Sequence, residues 1–142
     1  NVPLDQMMQA VDHALENGYS VEWDGDVSER GFSQKEGVAV LPANKQEEEL
    51  FKGPIKEVEA TQQLRQTLFE NYKTTDDHLM HVVGRARDQN GTNFYIIKNS
   101  WGEVGPHDGY LYMSETFFRI KTVSVTIHKD ALPDAIADAL KN

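Results

Sequence analysis

Residues 78–87 (HLMHVVGRAR) and 93–98 (NFYIIK) decide the fold of this chain. Both stretches are rich in the branched and aromatic side chains that favour β-strands. Asp88-Gln89-Asn90-Gly91 lies between them and has the residue types of a tight hairpin turn. The two stretches therefore predict an antiparallel hairpin, around which the other elements are arranged.

The flanking sequence predicts helices and further strands. Apolar residues from Leu4 to Leu15 recur at three- and four-residue steps and end before Gly18, which predicts an amphipathic helix. Residues 28–54 are polar and contain many Gly and Pro residues, which predicts an irregular connection with at most a short strand at Val38–Val40. The remaining predicted elements are strands at 19–23, 109–113 and 122–128, helices at 58–71 and 133–140, and a helical turn at 114–118.

The composition limits the partners expected for this chain. With 142 residues, of which 39% are hydrophobic, the chain is long enough to form one unit with its own core. Asp and Glu outnumber Lys and Arg by 23 to 14, which gives a net charge of -9. Because phosphate binding needs a basic surface, we expect no nucleic-acid partner. No stretch reaches the roughly 18 to 20 apolar residues that cross a bilayer, so we expect no membrane span.

Metal and disulfide chemistry are also not expected. The chain has no cysteine, which excludes a disulfide framework and a thiolate metal site, and its five His residues are scattered. We expect a cytoplasmic location. A periplasmic or secreted location stays open, because the sequence begins at Asn1 and an upstream targeting segment would not be visible.

The predicted hairpin can bring two polar side chains, those of His78 and Asn99, next to each other. His78 opens the first strand and Asn99 follows the second, so the hairpin returns the chain to its starting level and can place the two side chains together. An imidazole held by a neutral amide suits a base that must abstract a proton from a thiol. Taken alone, a His and an Asn at this spacing are more often two unrelated polar residues at strand ends.

Two motifs, in order along the chain, resemble those of the papain-like cysteine peptidases. Residues 95–102 (YIIKNSWG), followed by Gly109-Tyr110, resemble the asparagine segment of that family. Residues 78–84 (HLMHVVG) resemble its histidine strand, in which a His leads an apolar run that ends at Gly. The two motifs together, in this order, favour membership of the family over an unrelated pair.

The resemblance is strongest to the bleomycin hydrolase and aminopeptidase C branch. Residues 101–133 look like the end of those enzymes, and residues 3–27 are similar to the segment before their histidine; the similarity is weakest between Ser28 and Lys56. The resemblance implies an α+β fold, namely the C-terminal half of the papain-like cysteine proteinase fold, with an antiparallel, barrel-like sheet and flanking helices. Residues 1–142 would form a single unit without the cysteine-bearing N-terminal part.

The same resemblance implies roles for three residues. His78 would be the general base and acid, Asn99 would orient it, and Trp101 would cover the bond between them and exclude water. Core packing is the alternative for Trp101. The implied substrate is a peptide, the implied activity is that of an aminopeptidase, and the relatives form hexamers, so a homo-oligomer is possible. No metal or organic cofactor is implied.

The absence of cysteine is the main departure from the family. Since the family's cysteine and oxyanion-hole glutamine lie in its N-terminal half, we expect this chain to act with that half or with a companion chain and to be inactive alone. The alternative is a non-catalytic binding module of the same fold that has lost its nucleophile.

The sequence also makes predictions about residues outside this pair. His81 is an odd number of residues from His78 and should face the opposite side of the strand, in packing or at the surface. No role is predicted for His13, His107 or His128. The aromatic residues expected in the core are Trp23, Tyr110, Tyr112, Phe117 and Phe118. In the branch that the chain resembles, the C-terminus enters the active-site cleft, so residues 131–142 are either such an arm or a frayed surface helix.

Overall fold

Four helices and seven strands make up residues 1–140, the part of the chain that the computed structural model describes. The helices are α1 (Leu4–Glu16), α2 (Gln62–Glu70), α3 (Glu115–Lys121) and α4 (Asp134–Ala139), with a 3₁₀ turn at Lys129–Ala131. The strands are β1 (Val21–Gly25), β2 (Phe32–Ser33), β3 (Val38–Ala39), β4 (His78–Arg87), β5 (Asn93–Lys98), β6 (Tyr110–Ser114) and β7 (Thr122–Thr126).

All seven strands join one sheet in the order β2-β3-β6-β5-β4-β1-β7. Every neighbouring pair is antiparallel except β3 and β6, which are parallel. The sheet curls into a half-barrel with helices at its flanks. This arrangement is the predicted α+β fold, with one parallel pair that the sequence did not reveal.

The predicted hairpin of β4 and β5 lies in the middle of the sheet. His81 pairs with Lys98 across the two strands, so Asn99 follows β5 at the level where β4 begins. On its other side β4 pairs with β1, where His78 lies opposite Gly25. A Cβ at Gly25 would lie 2.4 Å from both the Lys121 carbonyl oxygen and the Trp23 ring, so only glycine fits beside the start of β4.

The core lies between this sheet and helices α1 and α3. The apolar face of α1 is buried as its periodicity predicts, and the buried residues of the helix are Leu4, Met7, Met8, Ala10, Val11 and Ala14. Trp23, Phe117 and Phe118 are fully buried, as predicted. Burying each such large apolar side chain contributes about 1.5 to 3 kcal/mol.

The prediction that Tyr112 lies in the core is wrong. Its side chain is 37% exposed, and its ring lies nearly perpendicular to the His107 ring, with the ring centres 5.1 Å apart. Tyr110 is only partly buried and has the Lys98 ammonium 5.8 Å from its ring centre. On β6 the residues of the core face are Leu111 and Met113, and strand alternation turns the two tyrosines to the other face.

Two predicted helices have different bounds in the structure. The helix predicted from Val58 begins at Gln62, because the Thr61 hydroxyl accepts a hydrogen bond from the Leu64 N–H at 3.1 Å and caps it there. The helical turn predicted at 114–118 continues to Lys121, with Ser114 as its N-cap. The polar connection holds the predicted short strand at Val38 and a second one, β2, that pairs with it.

The C-terminal segment leaves the sheet at the end away from His78. Gly25 pairs with both His78 and Thr122, whereas Thr126, at the other end of β7, pairs with Glu22. Ala131 is then fully buried, and the predicted last helix is present as α4. The final two residues of the expected arm, 141 and 142, lie outside the described residues. Between residues 1 and 140 there is no helix with the length and apolar character needed to cross a membrane.

Candidate active site

His78 is held at the start of β4 by contacts of the residues before it. The Asp77 N–H donates to the Gly25 carbonyl at 3.3 Å, which joins this segment to β1. The Asp77 carboxylate accepts hydrogen bonds from the Val27 N–H at 2.9 Å and from the Thr75 hydroxyl at 3.4 Å. The backbone that presents His78 is therefore fixed before the strand begins.

A buried ion cluster of Asp26, Lys121 and Glu29 lies beneath this segment. Lys121 and Asp26 are each only 1% exposed, and the Lys121 ammonium lies 3.4 Å from the Asp26 carboxylate and also contacts Glu29. Burial raises the pKa of Asp26, but hydrogen bonds from Ser28 and Thr75 and the charge of Lys121 outweigh it, so the pKa is lowered overall. Asp26 is thus an anion at neutral pH.

The cluster also binds the chain that leads into β4. The Lys121 ammonium donates to the Lys73 carbonyl at 2.8 Å and to the Thr74 hydroxyl at 3.3 Å. The Asp26 carboxylate accepts from the Thr75 N–H at 3.1 Å. These bonds fasten residues 73–75 to β1 and α3, three residues before His78.

Asn99 is fixed by the loop that joins β5 to β6. Its N–H donates to the Gly109 carbonyl at 3.0 Å, which closes the loop at its base. Inside the loop the Gly109 N–H donates to the Val104 carbonyl at 3.0 Å. Asn99 is only 5% exposed, so its amide depends on protein partners rather than on water.

His78 and Asn99 are in direct contact, through His78 Nε2 and Asn99 Oδ1 at 2.8 Å. The Ser100 N–H, which can only donate, lies 2.7 Å from the same oxygen and so identifies it as the amide oxygen. The neutral ring must therefore carry its proton on Nε2. Within residues 1–140, Nδ1 has no hydrogen-bond partner, so it is an unprotonated acceptor available to a proton donor.

Trp101 covers one face of the histidine. The Trp101 and His78 ring centres are 4.9 Å apart at an interplanar angle of 34°. The Phe32 ring lies nearly perpendicular to the indole, with the ring centres 6.2 Å apart. The Trp101 side chain is 49% exposed, which excludes simple core packing. The indole thus lies against the imidazole, and its shielding role stays a prediction.

Sequence reasoning missed Gln34. Its Oε1 accepts from Asn99 Nδ2 at 2.9 Å, and its Nε2 donates to the carbonyls of Tyr110 at 3.2 Å and Val104 at 3.3 Å. Gln34 is 7% exposed. It lies in the polar connection predicted as irregular, where no periodicity or motif links it to Asn99.

The other histidines lie apart from this pair. His81 is exposed, as the alternation of β4 predicts, and its Nε2 lies 2.7 Å from the Ser20 hydroxyl. His128 stacks on Tyr19 at 5.3 Å. Among residues 1–140, no group of three or more His, Cys, Asp or Glu side chains is arranged to hold a metal ion.

Comparison with known proteins decides the family. The model of the Peptidase C1-like family matches residues 1–142, which is the whole chain. The chain belongs to the peptidase C1-like family. This peptidase C1-like chain is 28% identical to aminopeptidase W of Lactobacillus delbrueckii subsp. lactis over 142 residues, which are all of this chain and 31% of that protein. It is 28% identical to human bleomycin hydrolase over 145 residues, covering 99% of this chain and 30% of that protein.

A solved structure supports the fold assignment. The crystal structure of PepW from Lactobacillus rhamnosis HN001 superposes with a TM-score of 0.73 at 24% identity, over 100% of this chain and 30% of PepW. The predicted papain-like α+β fold and the predicted bleomycin hydrolase and aminopeptidase C relationship are both confirmed. The peptidase C1-like chain spans about a third of the length of the curated relatives it matches.

Proposed function

We propose that this chain supplies the histidine base and the orienting asparagine of a cysteine peptidase, whose thiol lies elsewhere in the complete protein or on a companion chain. The carrying observation is the bond from His78 Nε2 to Asn99 Oδ1 at 2.8 Å, because it leaves Nδ1 free to accept a proton. The match to aminopeptidase W and bleomycin hydrolase over nearly the whole chain supports the same reaction class.

The reaction would proceed in two halves around Nδ1 of His78. The thiol proton moves to Nδ1, and the thiolate sulfur forms a bond to the peptide carbonyl carbon. The C–N bond breaks as His78 returns the proton to the leaving amine, and a thioester remains. His78 then takes a proton from water, whose oxygen bonds to the thioester carbonyl carbon. The C–S bond breaks, the acid leaves, and His78 returns its proton to the sulfur. Asn99 holds the ring in the required tautomer throughout.

We further propose aminopeptidase action on peptides with a free N-terminus. Aminopeptidase W and aminopeptidase C of Lactobacillus helveticus support this, the latter at 25% identity over 139 residues. A preference for free over N-acetylated peptides would be the direct sign of that specificity.

The test uses the full-length protein that contains this chain and an aminoacyl fluorogenic substrate. Turnover should be abolished by iodoacetamide and should fall by about 100-fold or more in His78→Ala, the usual scale for losing a general acid and base. His81→Ala is the matched control, since it removes an exposed histidine from the same strand. A folded His78→Ala variant with unchanged kcat/KM would refute the proposal. A protein that binds peptides without turnover would instead be the binding module.

A further inference from the structure

We propose that Gln34 is a positioning residue that orients the Asn99 amide and, through it, holds His78 in the tautomer with a free Nδ1. The inference rests on the proposed function for its catalytic meaning, but its structural claim can be tested alone. It concerns three side chains in series, Gln34, Asn99 and His78, joined by bonds of 2.9 Å and 2.8 Å.

The orientation of each amide in the series is determined by a backbone group. The carbonyls of Tyr110 and Val104 can only accept, so the Gln34 atom that faces them is the NH₂ donor. Gln34 therefore presents Oε1 to Asn99 and requires a donor there, which is Asn99 Nδ2. The Ser100 N–H independently requires Oδ1 on the other side of the same amide.

A flipped Asn99 would break both of these bonds. Its NH₂ would face the Ser100 N–H, and its oxygen would face Gln34 Oε1, so a donor would meet a donor and an acceptor an acceptor. His78 would then also face an NH₂ group, which requires an unprotonated Nε2 and moves the ring proton to Nδ1. In that tautomer the ring cannot take a proton from a thiol through Nδ1.

Burial prevents water from taking over the part played by Gln34. Gln34 and Asn99 are 7% and 5% exposed, and a buried amide without its partner loses hydrogen bonding that solvent does not replace. The backbone of Gln34 is also held close to the β5–β6 loop. A Cβ at Gly105, which has φ +80°, would lie 2.2 Å from the Gln34 carbonyl oxygen. Hydrogen bonds thus hold the Gln34 amide, and close packing against Gly105 holds its backbone.

Two variants of the full-length protein separate positioning from packing. Gln34→Met keeps the length of the side chain but removes the acceptor for Asn99 Nδ2. Gln34→Glu keeps that acceptor but places a carboxyl group against the Tyr110 and Val104 carbonyls in a buried site. We expect Gln34→Glu to lower the free energy of unfolding more than Gln34→Met does, because burying a carboxyl group costs more than burying a thioether. We expect the opposite order for the orientation of the Asn99 amide, which Gln34→Met should loosen more than Gln34→Glu does.

The decisive measurement is the tautomer of His78 by ¹⁵N NMR, alongside kcat, KM and thermal melting. Wild type and Gln34→Glu should show only the Nε2–H form, and Gln34→Met should show a mixture. In Gln34→Met, kcat should fall about 2- to 10-fold, the scale of one hydrogen bond, with KM unchanged. Gln46→Met, at an exposed glutamine of the same connection, is the control and should match wild type.

Two results would overturn the inference. One is a folded Gln34→Met variant that keeps the single Nε2–H tautomer. The other is a loss of activity that parallels the loss in melting temperature, so that Gln34→Glu is both less active and less stable than Gln34→Met, as a pure packing role requires. If Gln34→Met does not fold, a mixed tautomer in folded Gln34→Glu decides against the inference. Absence of thiol-dependent turnover in wild type would refute the proposed function, while the tautomer measurement would still judge Gln34.

Discussion

Asn99 is the residue on which the local hydrogen bonds converge. Its amide bonds His78, Ser100 and Gln34, so Asn99→Ala removes the acceptor for the histidine and the partners of two other groups. We expect kcat/KM of the full-length protein to fall by about 10-fold, less than in His78→Ala, because orientation contributes less than proton transfer. Steady-state kinetics of the two variants side by side would measure this, and an equal or larger loss in Asn99→Ala would contradict it.

Trp101 should support activity by shielding the His78–Asn99 hydrogen bond from water, rather than by stabilising the fold. With its side chain 49% exposed and its ring 4.9 Å from that of His78, Trp101→Ala should admit water to the His78–Asn99 bond. We expect kcat/KM to fall by about 2- to 10-fold, with little change in thermal stability. Trp101→Phe should restore part of the loss. Val104→Ala, which truncates an exposed side chain of the same loop, is the control, and an equal loss there would remove the specific role of the indole.

At residue scale, the sequence predicted that His78, Asn99 and Trp101 lie together, and the structure brings them into contact. Sequence reasoning found no sign of Gln34, which belongs to no motif. His78, Asn99 and Trp101 lie in or beside two adjacent strands, so their proximity follows from a hairpin. Gln34 reaches Asn99 only because the polar connection forms β2 and β3 and joins the sheet beside β6. No local pattern encodes that long-range placement.

The buried ion cluster acts at the scale of elements, because it joins α3, the end of β1 and the segment before β4. In Asp26→Asn the Lys121 ammonium, 1% exposed, loses its buried carboxylate partner and keeps only the partly exposed carboxylate of Glu29. We expect a loss of about 3 kcal/mol in the free energy of unfolding at neutral pH, measured by urea denaturation. Glu49→Gln, which breaks the exposed pair with Lys52, is the control and should cost less than about 1 kcal/mol.

The pH dependence of the same variant follows from the lowered pKa of Asp26. A carboxyl group whose pKa is lower in the folded than in the unfolded state stabilises the fold above its unfolded pKa. That stabilisation is lost as the pH falls through the lowered value. The difference in stability between wild type and Asp26→Asn should therefore shrink on acidification below about pH 4. A difference that stays constant down to acid unfolding would show that Asp26 is not linked to folding in this way.

Element types were more predictable than element bounds. The α1 helix and the β4–β5 hairpin follow from periodicity and turn residues that agree with their tertiary contacts. The start of α2 was misplaced because Val58 is drawn into an extended segment, where its N–H donates to the Leu41 carbonyl at 3.0 Å. The parallel pairing of β3 with β6 depends on how distant segments meet, and two-residue strands carry too little pattern to predict it.

At the scale of the whole molecule, His78 is only partly buried, although its partner Asn99 is buried. The cavity lined by Leu41, Val58 and Leu64 also takes in Asp26, Glu29 and Thr75, so it adjoins the ion cluster, but its lining includes neither His78 nor Asn99. Trp101, whose ring centre lies 4.9 Å from that of His78, is 49% exposed.

The absence of cysteine leads to a prediction about the chain taken alone. The 142 residues contain the proposed base and the proposed orienting amide but no cysteine, so they offer no sulfur nucleophile for a covalent route. We expect the isolated chain to show no turnover of an aminoacyl fluorogenic substrate above the uncatalysed rate. The full-length protein should turn the substrate over, and should favour free over N-acetylated peptides if it is an aminopeptidase.

The control for the isolated chain is its folded state, because inactivity of an unfolded polypeptide would mean nothing. A cooperative thermal transition, and a His78 ring found by NMR in the Nε2–H tautomer, would establish that the pair is formed. Under those conditions, measurable hydrolysis by the cysteine-free chain that His78→Ala abolishes would contradict the prediction. It would mean that His78 activates water or a hydroxyl group directly, and that the free Nδ1 serves a nucleophile within these residues.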